Sequence, residues 1–168
     1  MADALTAPLA VAALVLVVAG VAKLRAPGPA VRALRELGLP AAAPAIRAFA
    51  IGEIALGIWA LANPSSAPAI ALACCYAAFA GLALLLAAHR ASCGCFGDGD
   101  FPASRVQALL SAVLAAACAL AAVWPPSGFL DRPAAQAVVL VVGIAASAYA
   151  TVLAYTQLPA AWSAWSAR

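Results

Sequence analysis

Two cysteines one residue apart are the residues of this chain best suited to chemistry. They lie in His89-Arg90-Ala91-Ser92-Cys93-Gly94-Cys95-Phe96-Gly97-Asp98-Gly99-Asp100. Glycines at 94, 97 and 99 free the backbone for tight turns. A disulfide between Cys93 and Cys95 closes a small ring, and the geometry is strained. Strain makes a disulfide easier to reduce. The pair therefore reads as a labile redox couple rather than a structural staple. Arg90 beside it would lower a thiol pKa and raise reactivity. Metal binding is the rival chemistry: His89, Cys93 and Cys95 offer three ligands suited to copper(I) or zinc, with oxygens from Asp98 and Asp100. Against that, structural zinc sites favour two to four residues between paired cysteines, and here there is one. The bland reading is two ordinary loop thiols.

The other thiols, Cys74, Cys75 and Cys118, sit in apolar sequence and read as small buried hydrophobes. A relay from Cys75 to Cys93 is disfavoured. Eighteen residues of helix cover about 27 Å, and exchange needs direct sulfur contact. Glu53 is the second candidate. It falls about seven residues, or roughly 10 Å, into an apolar stretch. An ionisable group there costs a few kcal/mol and calls for a partner. The expected partner is Lys23 or Arg105, either as a structural ion pair or as a means of tuning charge near the cysteine loop.

The elements that must position these residues are apolar. The chain is 67% hydrophobic and 9% charged, whereas soluble domains run near half apolar and a quarter charged. Only lipid can cover that excess. A spanning helix needs roughly 20 apolar residues. Five stretches come close: 5–22, 45–62, 69–88, 106–124 and 135–158. The fold class expected is an all-α polytopic transmembrane helix bundle of four to five spans, in one membrane domain covering the whole chain. The first stretch is short and the second carries Arg47 and Glu53, so these two are the weakest. The twelve prolines are expected near helix ends or in connections, none of them mid-span. Residues 30–37 read as a short amphipathic helix, with Val31, Leu34 and Leu37 on one side and Arg32, Arg35 and Glu36 elsewhere. It would either lie on the membrane surface or form a solvated connection. Gly52, Gly57, Gly81, and Ala146 with Ala150, are weak candidates for close helix contacts.

Charge sets the orientation. Lys23, Arg25, Arg32, Arg35, Arg47, Arg90, Arg105 and Arg168 fall on one side of a five-span chain, and only Arg132 falls on the other. The positive-inside rule then puts the N-terminus outside and Cys93 and Cys95 at the cytoplasmic face of a cell's inner (plasma) membrane. The first residues carry Asp3 and no base, and Lys23 and Arg25 follow the apolar run. That is the reverse of a secretory signal, so the run reads as a retained anchor. A net charge of +3 makes no case for a nucleic-acid partner.

Cys93-Gly94-Cys95-Phe96-Gly97 after an apolar helix resembles the methylamine-utilisation protein MauE family, a relative of the DoxX-like membrane proteins. Gly20-Val21-Ala22-Lys23-Leu24 followed by Pro27, then Gly38-Leu39-Pro40, then Glu53, match in the same order. The resemblance covers about residues 10–120. It implies a role in maturing or exporting a disulfide-rich periplasmic enzyme subunit, alongside a thioredoxin-like partner. Such a partner would most simply want the cysteines outside, opposite to the charge count. The leading expectation is a membrane-embedded thiol–disulfide redox protein. Cys93 and Cys95 would cycle, Glu53 with Lys23 or Arg105 would tune charge, and a quinone between helices would be a conceivable acceptor that no residue demands. The alternative is a non-enzymatic assembly factor or scaffold whose loop binds a partner or a soft metal. A solute transporter would want more polar residues within the spans than Glu53.

Overall fold

The apolar stretches fold as α-helices in the computed structural model, which describes residues 2–89, 103–126 and 134–166. The order is α1 (Ala2–Arg25), α2 (Gly28–Glu36), α3 (Ala43–Ala62), α4 (Ser66–Ala88), α5 (Arg105–Val123) and α6 (Ala134–Ser166). Five of these are long and apolar enough to cross a membrane: Ala4–Arg25, Ala43–Ala62, Ser66–Ala88, Arg105–Val123 and Gln136–Leu158. Their outward faces are hydrocarbon, with Ile51, Ile58, Ile70, Leu109, Val113 and Val139 exposed. The protein is a multi-pass membrane protein, as the composition demands.

The first stretch is not the weak one. α1 is the centre of the bundle, packed against α3, α4, α5 and α6. Leu9, Ala12, Ala13, Val15, Leu16 and Ala19 are all buried. It looked short in sequence because Lys23 seemed to end it. The helix instead runs on to Arg25, with Lys23 inside the protein.

Glycine sets the distance between α1 and α3. A Cβ on Gly57 would sit 2.6 Å from Val17 Cγ2 and 2.7 Å from the Ala13 carbonyl oxygen. A Cβ on Gly20 would sit 2.8 Å from the Ala50 oxygen and 2.8 Å from Ile54 Cγ1. Close backbone approach of this kind is how helices associate in lipid, where burial of apolar surface gives no driving force. Of the small residues singled out by sequence, only Gly57 does this. A Cβ added to Gly52 or Gly81 would meet nothing within 4 Å, and Ala146 and Ala150 are exposed.

Pro8 and Pro159 lie near the ends of their spans, yet the helices α1 and α6 extend beyond them on both sides. Proline has no N–H, so Pro159 withdraws the donor that the Tyr155 carbonyl would have in a regular helix. Gln107 Nε2 donates to that oxygen instead, at 3.2 Å. Gln107 also closes a capping box at the start of α5, donating its backbone N–H to Ser104 Oγ and accepting from the Ser104 N–H.

The expected amphipathic helix is α2. Arg32, Arg35 and Glu36 face outward and Val31 and Ala33 are buried. Its apolar side packs on protein, with Ala33 against Leu86 of α4 and Ala103 before α5. A Schellman motif ends it. Gly38 takes a φ of 75° and donates to the Arg35 oxygen, while Leu39 N–H reaches the Leu34 oxygen.

Candidate functional site

The polar centre of the bundle is an ion pair. Lys23 Nζ donates to Glu53 Oε1 at 2.7 Å and to Oε2 at 2.9 Å. The lysine side chain is 8% exposed and the glutamate 1%. Of the two cations expected for Glu53, the structure pairs it with Lys23. Arg105 is exposed at the first residue of α5. Glu53 stands ten residues after Ala43, the first residue of α3, or about 15 Å along the axis. The packing glycines explain the geometry. Gly20 is one turn before Lys23 on α1, and Gly57 one turn after Glu53 on α3. A Cβ on Gly20 would come within 3.3 Å of Glu53 Cβ.

Aromatic rings surround the ammonium. Lys23 Nζ is 5.2 Å from the Phe79 ring centre and 6.0 Å from that of Phe49, within cation–π range. Phe49 and Phe79 meet edge to face at 6.2 Å, and Tyr76 and Phe79 at 6.0 Å. The Tyr76 hydroxyl donates to the Ala12 carbonyl at 2.6 Å, joining α4 to α1.

Two cavities meet at Lys23. The inner one, about 30 Å³, is bounded by Leu16, Tyr76, Phe79, Gln107, Ser111 and Tyr155, enough volume for one or two water molecules. Ser111 Oγ and the Tyr155 hydroxyl share a hydrogen bond of 2.8 Å at its edge. The outer one, about 320 Å³, opens between α2, α3 and α4, with Leu34, Ile46, Phe49, Phe79 and Leu82 in its walls. Sequence reading found Lys23 and Glu53 but missed Phe49, Tyr76, Phe79, Gln107, Ser111 and Tyr155. Buried Gln107 and Ser111 make the spans more polar inside than Glu53 alone suggested.

Cys93 and Cys95 lie outside the described residues, as do Arg90, Asp98 and Asp100. His89 is exposed at the end of α4, where its N–H bonds the Leu85 oxygen. Among the described residues no cluster of three metal-ligating side chains occurs. Of the thiols read as structural, Cys118 is fully buried and Cys75 half-buried, while Cys74 is exposed on the outer face.

Comparison with curated proteins and with solved structures found no match. A family model does match, and it is described as methylamine utilisation protein MauE. The matched segment, residues 2–125, contains α1–α5 entire, and with them Lys23, Glu53 and the Cys93-Gly94-Cys95 stretch. The match covers well over half of the chain, and the protein belongs to the MauE family.

Proposed function

We propose that this is a membrane-embedded thiol–disulfide redox protein in which Cys93 and Cys95 exchange with a thioredoxin-like partner during maturation of a client enzyme. The Cys93-Gly94-Cys95 pair in the Gly-rich connection between α4 and α5 carries this reading. The name of the family, methylamine utilisation protein MauE, is consistent with a client in that metabolism.

A thiolate of the partner attacks one sulfur of the oxidised pair. The Cys93–Cys95 bond breaks, a mixed disulfide forms, and the displaced sulfur takes up a proton. The partner's second thiolate then attacks its own bridged sulfur. The partner leaves as a disulfide and Cys93 and Cys95 as two thiols. Two electrons and two protons have passed from partner to membrane protein. A short ring favours this direction because strain is released on opening. Arg90, three residues before Cys93 in sequence, biases the thiols toward thiolate.

The reading also has the loop at the cytoplasmic face of a plasma membrane. Arg25, Arg32, Arg35, Arg47 and Arg105 all belong to the end of the bundle where α4 finishes and α5 begins. Side-specific alkylation of Cys93 and Cys95 in intact cells and spheroplasts tests the placement. Acid-quenched alkylation tests the chemistry. The expected result is a pair found in both redox states, with Cys95→Ser or Cys93→Ser accumulating a mixed disulfide with the partner. Two thiols alkylated under all conditions, with client maturation intact in Cys93→Ser, would overturn the reading.

A further inference from the structure

The outer cavity has a composition that selects its occupant. At about 320 Å³ it is at the small end of the range for small-molecule sites. Its walls are hydrocarbon and aromatic. Lys23 is the one charged residue that lines it, and the lysine side chain is 8% exposed.

The chemistry of that atom is restrictive. An ammonium has three N–H donors. Two are engaged by Glu53 at 2.7 and 2.9 Å. The third has no hydrogen-bond acceptor among the described residues. The site therefore offers one donor, but from an ion pair whose charges cancel. An anion would gain its contact with lysine and lose it again to the adjacent carboxylate. A cation would meet the ammonium first. A neutral carbonyl oxygen takes the hydrogen bond without either conflict.

The walls specify the rest of the ligand. Phe49 and Phe79 both line the cavity, and Phe49 is half exposed. Planar rings pack well against aromatic faces and edges. Two lining residues, Ala45 and Phe49, are exposed on the first two turns of a membrane span. Entry is therefore from the bilayer's interfacial zone, where a lipid-soluble molecule resides. A flat ring, a neutral carbonyl oxygen and membrane solubility together describe a quinone.

We infer that the cavity between α2, α3 and α4 binds a quinone headgroup, its carbonyl oxygen accepting from Lys23 Nζ and its ring beside Phe49 and Phe79. The inference deepens the thiol–disulfide reading and rests on it for a purpose: the dithiol left by the partner needs an oxidant. Two thiols and one quinone give one disulfide and one quinol, with two electrons and two protons transferred. Binding itself does not depend on the cysteines.

The test uses the full chain in phosphatidylcholine nanodiscs, with a photoreactive azidoquinone and ubiquinone-1 as competitor. Saturable labelling of the α3 and α4 peptides carrying Phe49 and Phe79, displaced by ubiquinone-1, is expected. Ala45→Trp fills the cavity from an exposed position and should weaken binding tenfold or more without loss of thermal stability. The paired substitution Lys23→Met with Glu53→Leu removes the donor while leaving no lone charge, and should weaken binding about tenfold, the worth of one charge-assisted hydrogen bond. Labelling that does not saturate, that both variants leave unchanged, or that oleate displaces as well as ubiquinone-1 does, would overturn the inference and mark the cavity as an acyl-chain groove. Cys93→Ser with Cys95→Ser separates the two readings. Quinone binding should survive in that variant, whereas thiols that cycle in a protein that takes no quinone would sink the cavity proposal alone.

Discussion

Removing Lys23 should be among the most damaging single changes to this protein, and removing its partner as well should undo most of the harm. In Lys23→Met the Glu53 carboxylate, 1% exposed, loses both hydrogen bonds and its counter-charge. Breaking a buried pair from one side costs about 3–5 kcal/mol. The carboxyl has one escape, protonation, and at pH 7 that costs about 4 kcal/mol for a glutamate of ordinary acidity. The two figures agree, so a loss near 4 kcal/mol is expected. Glu53→Leu should cost less. Lys23 lies in the last turn of α1 beside Arg25, and its long stem can carry the ammonium toward the interface. In Lys23→Met with Glu53→Leu no buried charge remains and the side-chain volumes are similar, so stability should return to within about 1 kcal/mol of the parent. Equilibrium unfolding of the four proteins in mixed micelles, arranged as a double-mutant cycle, measures this. A Lys23→Met loss under about 1 kcal/mol, or a double variant no better than the worse single one, would refute the claim that the pair is buried and mutually dependent.

Gly57→Ala should separate α1 from α3, since its methyl would meet the Ala13 oxygen at 2.7 Å, at a cost of about 1–3 kcal/mol; Gly52→Ala, on the same helix with open space around it, should be neutral in the same unfolding assay. Gln107→Leu should cost about 0.5–1.5 kcal/mol by removing its hydrogen bond to the Tyr155 carbonyl, and adding Pro159→Ala should recover part of that loss by restoring the helical N–H donor. Gly38→Ala should cost about 1 kcal/mol by forcing a side chain into a left-handed turn at φ 75°, read as a lower melting temperature.

The number and order of helices were legible in the sequence because each span is a long apolar run bounded by charge or proline. The end of α1 was not. Lys23 reads as the edge of a span only if its charge must face water, and Glu53, thirty residues on, removes that need. Pro159 shows a similar effect just past the end of its span. Pro159 marks a break by its chemistry, yet α6 continues through it because Gln107 of α5 supplies the missing hydrogen bond. In both cases a local rule was overridden by a partner distant in sequence. The cavities were hidden for a related reason. Lys23, Phe49 and Phe79 come from three helices, and no periodicity within one helix groups them.

A usable signal for the ion pair did exist, in glycine spacing rather than in charge. Gly20 precedes Lys23 by three residues and Gly57 follows Glu53 by four, so each glycine shares a helix face with its charge. In antiparallel helices those two faces can meet only if both glycines lie in the contact. The absent side chains then let the backbones approach, which brings the lysine stem and the short glutamate within hydrogen-bonding distance. Arg105 has no such companion on α5: three residues on is Ala108 and four on is Leu109, and Leu109 is exposed. The choice between two cations for Glu53 thus follows from which of them stands on a helix face that can come close. The same close approach that joins α1 to α3 places Lys23 where it lines both cavities.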